Sequence, residues 1–209
     1  MTPIPSQLGP LLPYLDLFGI AVFAASGALA AAQRAQTFVT AAFFALITGV
    51  GGGSVRDLLI GAPVFWVHDP WVAAVCLGVA LLIWVTPQRW WPGQSLDWFD
   101  AFGLAAYAVF GAAKSLDYGI PPVPAALMGV MTACVGGIIR DVLAGEQSIL
   151  MRPELYVTAA ALASALHVGL VLAGLPPFAA ASVAACAGFA LRAVAIRWKL
   201  RLPAYRGRR

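Results

Sequence analysis

The sequence predicts an all-α polytopic membrane protein with seven transmembrane helices, arranged as two inverted three-helix repeats plus a seventh helix. Composition is the first reason. Hydrophobic residues make up 61% of the chain and charged residues 11%, with a mean hydropathy of +0.85, outside the range of ordinary soluble domains. The second reason is an internal repeat, since the glycine-rich stretch ending at Arg56-Asp57 returns 84 positions later and ends at Arg140-Asp141.

Seven apolar segments approach the length of about 20 residues that a helix needs to cross a hydrocarbon core of roughly 30 Å. We predict them near residues 15–32, 37–61, 70–86, 98–113, 122–145, 155–173 and 178–196. Short polar or proline-containing turns separate these segments, so no soluble domain is expected between them. Most of the tryptophans lie near predicted span ends, as expected of anchors at the membrane interface.

The repeat itself covers three helices in each copy. Aligning residues 16–61 with 100–145 without a gap gives 17 identities in 46 positions, and apolar bias does not explain Asp, Arg and Gly in the same order. Because three is an odd number, the second copy must enter the membrane from the opposite side. The predicted organisation is an N-terminal tail at 1–14, a first repeat at 15–96, a second repeat at 97–174, and a seventh helix with a basic tail at 175–209.

Basic residues near the spans predict the orientation. Residues 192–209 hold seven of the 13 Lys and Arg, so the positive-inside rule places the C-terminus in the cytoplasm and, with seven spans, the N-terminus outside. The segment 1–14 has no basic residue and no small-residue cleavage site, so we expect an extracytoplasmic tail and not a removable signal. A basic segment beside a span attracts anionic lipid, and nucleic acid is not an expected partner.

The glycine runs in the second and fifth spans predict an interruption of each helix. Glycine weakens a helix by about 1 kcal/mol per residue relative to Ala, and a break leaves carbonyls unpaired at the end of one half-helix. Two breaks facing each other at the bilayer midplane would form a cation pathway lined by Thr48, Gly51, Gly52, Gly53, Ser54, Thr132, Gly136 and Gly137. The alternative is that these glycines allow close helix packing, as small residues do in membrane bundles.

Charged residues inside the spans are the second candidate feature, and they are Arg56, Asp57, Arg140, Asp141, Asp16 and Asp100. Charges at membrane depth are costly and point to function, although they also staple helices together. Sequence neighbours do not face each other on a helix, so we expect each Arg to find its partner on another helix. The predicted pairs, which would serve as a charge gate or as anchors, are Asp16–Arg56 and Asp100–Arg140.

No motif predicts catalysis, and we expect neither an enzyme nor a bound cofactor. The three cysteines, Cys76, Cys134 and Cys186, are widely spaced in apolar runs and are interpreted as packing residues. The two histidines, His68 and His167, have no ligand-spaced neighbours. No metal site is therefore expected beyond transient contact with monovalent cations.

The doubled pattern resembles the bacterial branch of the trimeric intracellular cation (TRIC) channel family. The resemblance rests on the glycine stretches ending in Arg-Asp, and on Asp16-Leu17-Phe18-Gly19 matching Asp100-Ala101-Phe102-Gly103. It implies a homotrimer in the plasma membrane, with a pathway inside each protomer lined by kinked helices 2 and 5. Family members conduct monovalent cations, potassium chiefly and sodium as well.

Two other functions stay open at the level of sequence. Some bacterial relatives are described as glycine transporters, so one alternative is a secondary transporter of a small zwitterion, whose ammonium and carboxylate would meet opposite half-helix ends. The other alternative is a membrane scaffold that transports nothing.

Overall fold

The computed structural model describes the backbone of residues 12–203 and side chains from residue 16 onward. The predicted N-terminal tail at 1–14 lies almost wholly outside the described residues. The last part of the basic tail, with Arg206, Arg208 and Arg209, lies outside them as well.

Seven α-helices run through the described residues and account for the predicted spans. They are α1 (Leu12–Ala32), α2 (Phe38–Ile60), α3 (Pro70–Val85), α4 (Ser95–Asp117), α5 (Pro122–Leu143), α6 (Val157–Leu172) and α7 (Pro177–Trp198). Two short 3₁₀ helices occupy connections at Gln88–Trp90 and Ile149–Met151. The prediction of an all-α fold with seven helices is confirmed.

Local sequence explains where these helices begin and end. The Thr37 hydroxyl accepts a hydrogen bond from the Thr40 amide at the start of α2, and the Asp69 carboxylate accepts one from the Trp71 amide at the start of α3. Gly61 ends α2 with φ +70, and its repeat counterpart Gly145 follows α5 with φ +66. Only glycine adopts this left-handed conformation without strain, so the chain turns at equivalent points in both repeats.

Helices α1 and α4 form the centre of the bundle. Helix α1 packs against α2, α3 and α4, while α4 packs against α5, α6 and α7. The contact between α1 and α4 is symmetric in the two repeats, because the Tyr107 ring lies on Gly19 and the ring of its counterpart Phe23 lies on Gly103. The two rings also meet edge to face, with centroids 5.3 Å apart. The repeats are therefore inverted copies about a pseudo-two-fold axis, and α7 packs outside them.

The lengths and compositions of the helices fit a membrane setting. Helices α2, α5 and α7 are each long and apolar enough to cross a bilayer, while α3, α6 and the part of α1 with described side chains are shorter apolar helices. Large apolar side chains such as Phe43, Leu58 and Leu81 are at least half exposed on the outside of the bundle. An apolar outer surface of this kind suits contact with lipid.

Candidate functional site

The bundle has two ends, which we call the N-side and the C-side. The N-side is the end where α1 begins and α2 ends, and the C-side is the end where α5 ends and α7 ends at Trp198. Because the repeats are inverted, Arg56 lies near the N-side and its counterpart Arg140 lies near the C-side.

The glycine runs do not break their helices. Helix α2 is continuous through Gly51-Gly52-Gly53, and α5 is continuous through Gly136-Gly137, so the predicted interruption is wrong. The intrahelical hydrogen bonds are kept because lipid offers no substitute partner for a freed backbone group. The helices respond to these glycines by approaching each other, which was the alternative interpretation.

The approach between α2 and α5 has the symmetry of the repeats. Gly52 lies against the backbone carbonyl oxygen of Thr132, and Gly136 lies against the backbone carbonyl oxygen of Thr48. Thr48 and Thr132 are counterparts in the alignment, as are Gly52 and Gly136. A Cβ on either glycine would overlap the facing carbonyl oxygen. The two helices therefore seal against each other at the middle of the bundle, on the pseudo-two-fold axis.

The two threonines at this contact are buried. The Thr132 hydroxyl donates to the Met128 carbonyl oxygen at 2.6 Å, whereas the Thr48 hydroxyl, close to Gly27, has no hydrogen-bond partner within the described residues. An unpartnered buried hydroxyl is uncommon and costs free energy. Thr48 thus differs from Thr132 in that its hydroxyl has no hydrogen-bond partner among the described residues.

The remaining predicted lining residues lie around this seal. Gly53 lies under the Phe65 ring on the N-side, and Gly137 lies under the Tyr156 hydroxyl and the Asp100 carboxylate on the C-side. Ser54 donates to the Val50 carbonyl oxygen and accepts a hydrogen bond from the Trp66 indole. Gly51 lies near Ile139. Of the predicted lining residues, Gly51, Gly52 and Gly136 thus lie at the contact between α2 and α5. Gly53, Ser54 and Gly137 instead face residues of α4 or of the connecting loops.

The C-side cluster is a buried network centred on Arg140. Its Nη1 donates to the Asp100 carboxylate at 2.7 Å and to the Ser26 hydroxyl at 2.9 Å, and its Nε donates to Asp141 at 2.9 Å. The second carboxylate oxygen of Asp141 accepts from the Ile149 amide at 2.7 Å. The predicted Asp100–Arg140 pair is present. Two carboxylates surround one guanidinium, so the cluster carries an excess negative charge.

The N-side cluster is built from the counterpart residues and differs in its partners. Arg56 Nε donates to Asp57 at 2.8 Å, the Phe65 amide donates to the same carboxylate at 3.0 Å, and Lys114 adds a third bond at 2.9 Å. The Arg56 guanidinium lies over the Phe110 ring, 5.2 Å from its centroid.

Asp16 does not join Arg56 in the N-side cluster. It accepts a hydrogen bond from the Tyr107 hydroxyl at 2.8 Å, and the predicted Asp16–Arg56 pair is absent among the described side chains. The phenol of Tyr107 reaches this carboxylate from α4, and Arg56 turns away from it towards Asp57 and the Phe110 ring.

The expectation that adjacent Arg and Asp residues cannot meet was also wrong. Arg56 bonds Asp57 and Arg140 bonds Asp141 in the same way. The rule for helix neighbours describes where side chains leave the backbone. The long Arg side chain folds back along the helix, and the buried setting favours any nearby opposite charge.

Alignment of the repeats explains why the two clusters differ. Ser26, which bonds Arg140, corresponds to Phe110, which lies under Arg56. Sequence reasoning had missed these residues, as well as Lys114 and Tyr107, because they lie on helices far away in the chain. The alignment of the two repeats could have pointed to them, because at each of these positions one repeat has a polar side chain and the other an apolar one.

A cavity of about 340 Å³ opens on the C-side and reaches the Arg140–Asp141 pair. It lies between the α1–α2 turn, the start of α4 and the end of α5. Its charged lining residues are Arg34, Asp97, Arg140, Asp141, Glu146 and Arg152. Arg34 pairs with Glu146 across the entrance, and this guanidinium lowers the pKa of the Glu146 carboxyl. The buried network is therefore accessible from one side of the bundle.

Comparison with known proteins identifies the family. The family model described as "Glycine transporter" matches the chain twice, at residues 13–88 and 97–172. The TRIC trimeric intracellular cation channel orthologue from Rhodobacter sphaeroides is 40% identical, with a TM-score of 0.84 over 91% of this chain and 99% of that chain. The chain belongs to the TRIC family.

Other TRIC relatives agree over nearly the same extent. A second solved TRIC cation channel is 28% identical and covers 95% of this chain and 99% of its own, with a TM-score of 0.82. The UPF0126 membrane protein of Vibrio cholerae is 38% identical over 201 residues, which is 93% of this chain and 83% of the relative. The UPF0126 inner membrane protein YadS of Escherichia coli K12 is 36% identical over 199 residues, covering 93% and 96%.

Membership of the TRIC family also settles the broad class. The chain is a membrane protein of a channel family and not an enzyme. Its fold matches that of the Rhodobacter sphaeroides orthologue along almost the whole of that chain.

Proposed function

We propose that this chain is a monovalent cation channel, conducting chiefly potassium, with a pathway inside each protomer of a homotrimer. Support comes from the solved relatives, which are described as trimeric intracellular cation channels. We place the protein in the plasma membrane, because an E. coli relative is called an inner membrane protein.

The cavity that reaches the C-side cluster is the observation that carries this proposal. It connects solvent to a buried site where two carboxylates, Asp100 and Asp141, face one guanidinium. The charged residues that line the cavity balance, and the negative excess lies in the buried network at its inner end, where Asp100 adds a second carboxylate. An excess negative charge at low dielectric attracts cations. The positive charge of Arg140 repels a cation that comes too close. The carboxylates therefore attract cations to the cavity, while Arg140 prevents them from binding too tightly.

From the cavity, the pathway continues towards the N-side between α2 and α5. The proposed lining is the set predicted from sequence: Thr48, Gly51, Gly52, Gly53, Ser54, Thr132, Gly136 and Gly137. Gly51, Gly52 and Gly136 of this set lie at the sealed contact, so conduction requires the Gly52 and Gly136 contacts to separate. Separation would expose the carbonyl oxygens of Thr48 and Thr132, and carbonyl oxygens are suitable ligands for potassium.

The proposed orientation puts the C-side in the cytoplasm. The basic residues Arg197, Lys199 and Arg201 lie at the end of α7 or just after it and are exposed. They fit the positive-inside rule and contact with anionic lipid headgroups. The cavity would then open to the cytoplasm and the N-side cluster would face outward.

A second candidate function is transport of a small zwitterion such as glycine. The C-side cavity favours it because acidic and basic side chains line the same space, with Asp97 and Asp141 able to meet an ammonium and Arg34 and Arg152 able to meet a carboxylate. The description of the matching family model agrees with this candidate.

Flux into proteoliposomes separates the two candidates. Purified wild-type protein is reconstituted, and potassium-driven membrane potential and uptake of labelled glycine are measured on the same vesicles. The channel proposal predicts potassium flux that does not saturate in the millimolar range and no glycine accumulation. Saturable glycine uptake without potassium current would overturn it in favour of the transporter.

A further inference from the structure

Helix α7 lies outside the duplication, yet it carries a fully buried charge. Arg192 is 0% exposed, and its Nη1 donates to the Glu154 carboxylate at 2.9 Å. Its Nε and Nη2 have no hydrogen-bond partner in the part of the chain that the structure describes. A buried guanidinium with one ionic bond is costly to keep for packing alone, because an apolar side chain would fill the same space.

The partner of Arg192 belongs to the segment between α5 and α6, residues 144–156, which we call the inner loop. The inner loop contributes Glu146, Ile149 and Arg152 to the wall of the C-side cavity. One part of it is fixed by the Ile149 amide, which donates to Asp141 of the buried network. Its far end is fixed by α7, through the bond from Arg192 to Glu154.

Three further contacts tie the far end of the inner loop to α7 and the residues after it. The Leu202 amide donates to the Pro153 carbonyl oxygen at 2.6 Å, and Glu154 forms an isolated antiparallel bridge with Arg201. The Arg192 guanidinium also lies over the Tyr156 ring, 5.3 Å from its centroid. The Tyr156 hydroxyl lies with the Asp100 carboxylate above Gly137. The charge on α7 is therefore connected to the same network that Arg140 organises.

The first repeat provides an internal comparison. Its corresponding loop, residues 61–69, makes the equivalent bond from the Phe65 amide to Asp57. This outer loop has no counterpart of the Arg192 contact, because Pro70 and Val72 stand where the second repeat has Glu154 and Tyr156. The extra attachment is thus a property of the side of the bundle where the cavity opens.

We propose that Arg192 is a positioning residue through which α7 holds the inner loop in place and so sets the shape of the cavity entrance. When the bond from Arg192 to Glu154 is broken, only backbone contacts to residues 201 and 202 hold the far end among the described residues, so the inner loop loosens and the bond from the Ile149 amide to Asp141 opens more often. The effect on the loop depends only on these contacts. The effect on cation flux rests on the channel function proposed above.

The test uses full-length protein carrying Arg192→Met together with Glu154→Gln. The double change removes both charges at once and keeps an unbranched side chain in the buried position, so neither partner is left as an unpaired buried charge. Hydrogen exchange of the peptide covering 146–152 is measured in detergent. The peptide covering 62–68 serves as the matched control, since no hydrogen bond or salt bridge among the described residues joins that loop to α7.

The proposal predicts at least tenfold faster exchange in 146–152, unchanged exchange in 62–68, and an unchanged thermal midpoint. Potassium flux in proteoliposomes is predicted to change by at least threefold. Unchanged exchange in 146–152, or equal acceleration in both peptides, would overturn the proposal. Faster exchange in 146–152 with no flux in the wild type would leave the positioning role standing and contradict the channel function instead.

Discussion

The contact between α2 and α5 yields the sharpest prediction from this structure. In Gly52→Ala, the added Cβ would overlap the Thr132 carbonyl oxygen, which is a backbone atom and cannot rotate away. Overpacking of this kind costs about 1–3 kcal/mol, and the better helix propensity of Ala returns at most about 1 kcal/mol. Because the overlap is with a backbone atom, the cost lies in the upper half of that range, and we expect a net loss of about 1–2 kcal/mol in the free energy of unfolding.

The assay is thermal unfolding in a mild detergent, followed by tryptophan fluorescence. A loss of this size corresponds to a decrease of about 2–8 °C in the midpoint for a chain of this length. Gly136→Ala should behave alike, because its Cβ would meet the Thr48 carbonyl oxygen in the symmetric position. Gly78→Ala is the matched control, since its Cβ would meet no atom within 4 Å.

The same pair of variants tests whether the contact is the seal of the pathway. An Ala at Gly52 or Gly136 wedges α2 and α5 apart, so potassium flux into proteoliposomes should increase while the control keeps the wild-type rate. The reasoning is refuted if Gly52→Ala is as stable as the control. Lower stability without any gain in potassium flux would support the close packing of α2 and α5 but would show that this contact does not close the pathway.

Three further changes probe the charged clusters and the helix surface. Asp100→Asn should lower the free energy of unfolding by about 3 kcal/mol and should reduce potassium flux. This cost is at the lower end for breaking a buried ion pair, because Asp141 still neutralises Arg140. A thermal midpoint equal to that of the wild type would contradict this prediction. Tyr107→Phe should lower the free energy of unfolding by about 1–2 kcal/mol, because it leaves the partly buried Asp16 carboxylate without its hydrogen-bond donor. Chemical denaturation measures this loss. An unchanged denaturation midpoint would show that water replaces the phenol. Gly78→Ala should increase stability by about 0.5–1 kcal/mol, and a decrease would indicate a neighbour on the open face of α3.

The sequence predicted the helices well because their limits depend on local chemistry. The third span was expected at 70–86 and is observed at Pro70–Val85, where Asp69 caps the start. The fourth span was expected at 98–113, yet α4 runs from Ser95 to Asp117. Asp97 and Lys114 lie in its first and last turns, and such charged residues end an apolar run before the helix itself ends.

The geometry around the candidate site was not predicted from the sequence. The structure places Gly52 and Gly136 at the contact between α2 and α5, whereas the sequence analysis expected a helix break there. Intrinsic propensity measures an isolated helix and does not see the facing carbonyl that a glycine allows to approach. The partners of the charges were harder still, because Tyr107 reaches Asp16 and Ser26 reaches Arg140 across more than 90 positions of sequence. Only folding brings such residues together.

The reversal potential of the purified protein in a planar bilayer shows whether this TRIC family member conducts cations selectively. Under a tenfold gradient of potassium chloride, a strongly cation-selective pathway should give single-channel currents. Their reversal potential should approach the equilibrium potential of potassium, which is about 59 mV in magnitude. Currents that reverse near zero would show that the pathway does not select cations. A bilayer that stays silent despite confirmed insertion would contradict conduction itself.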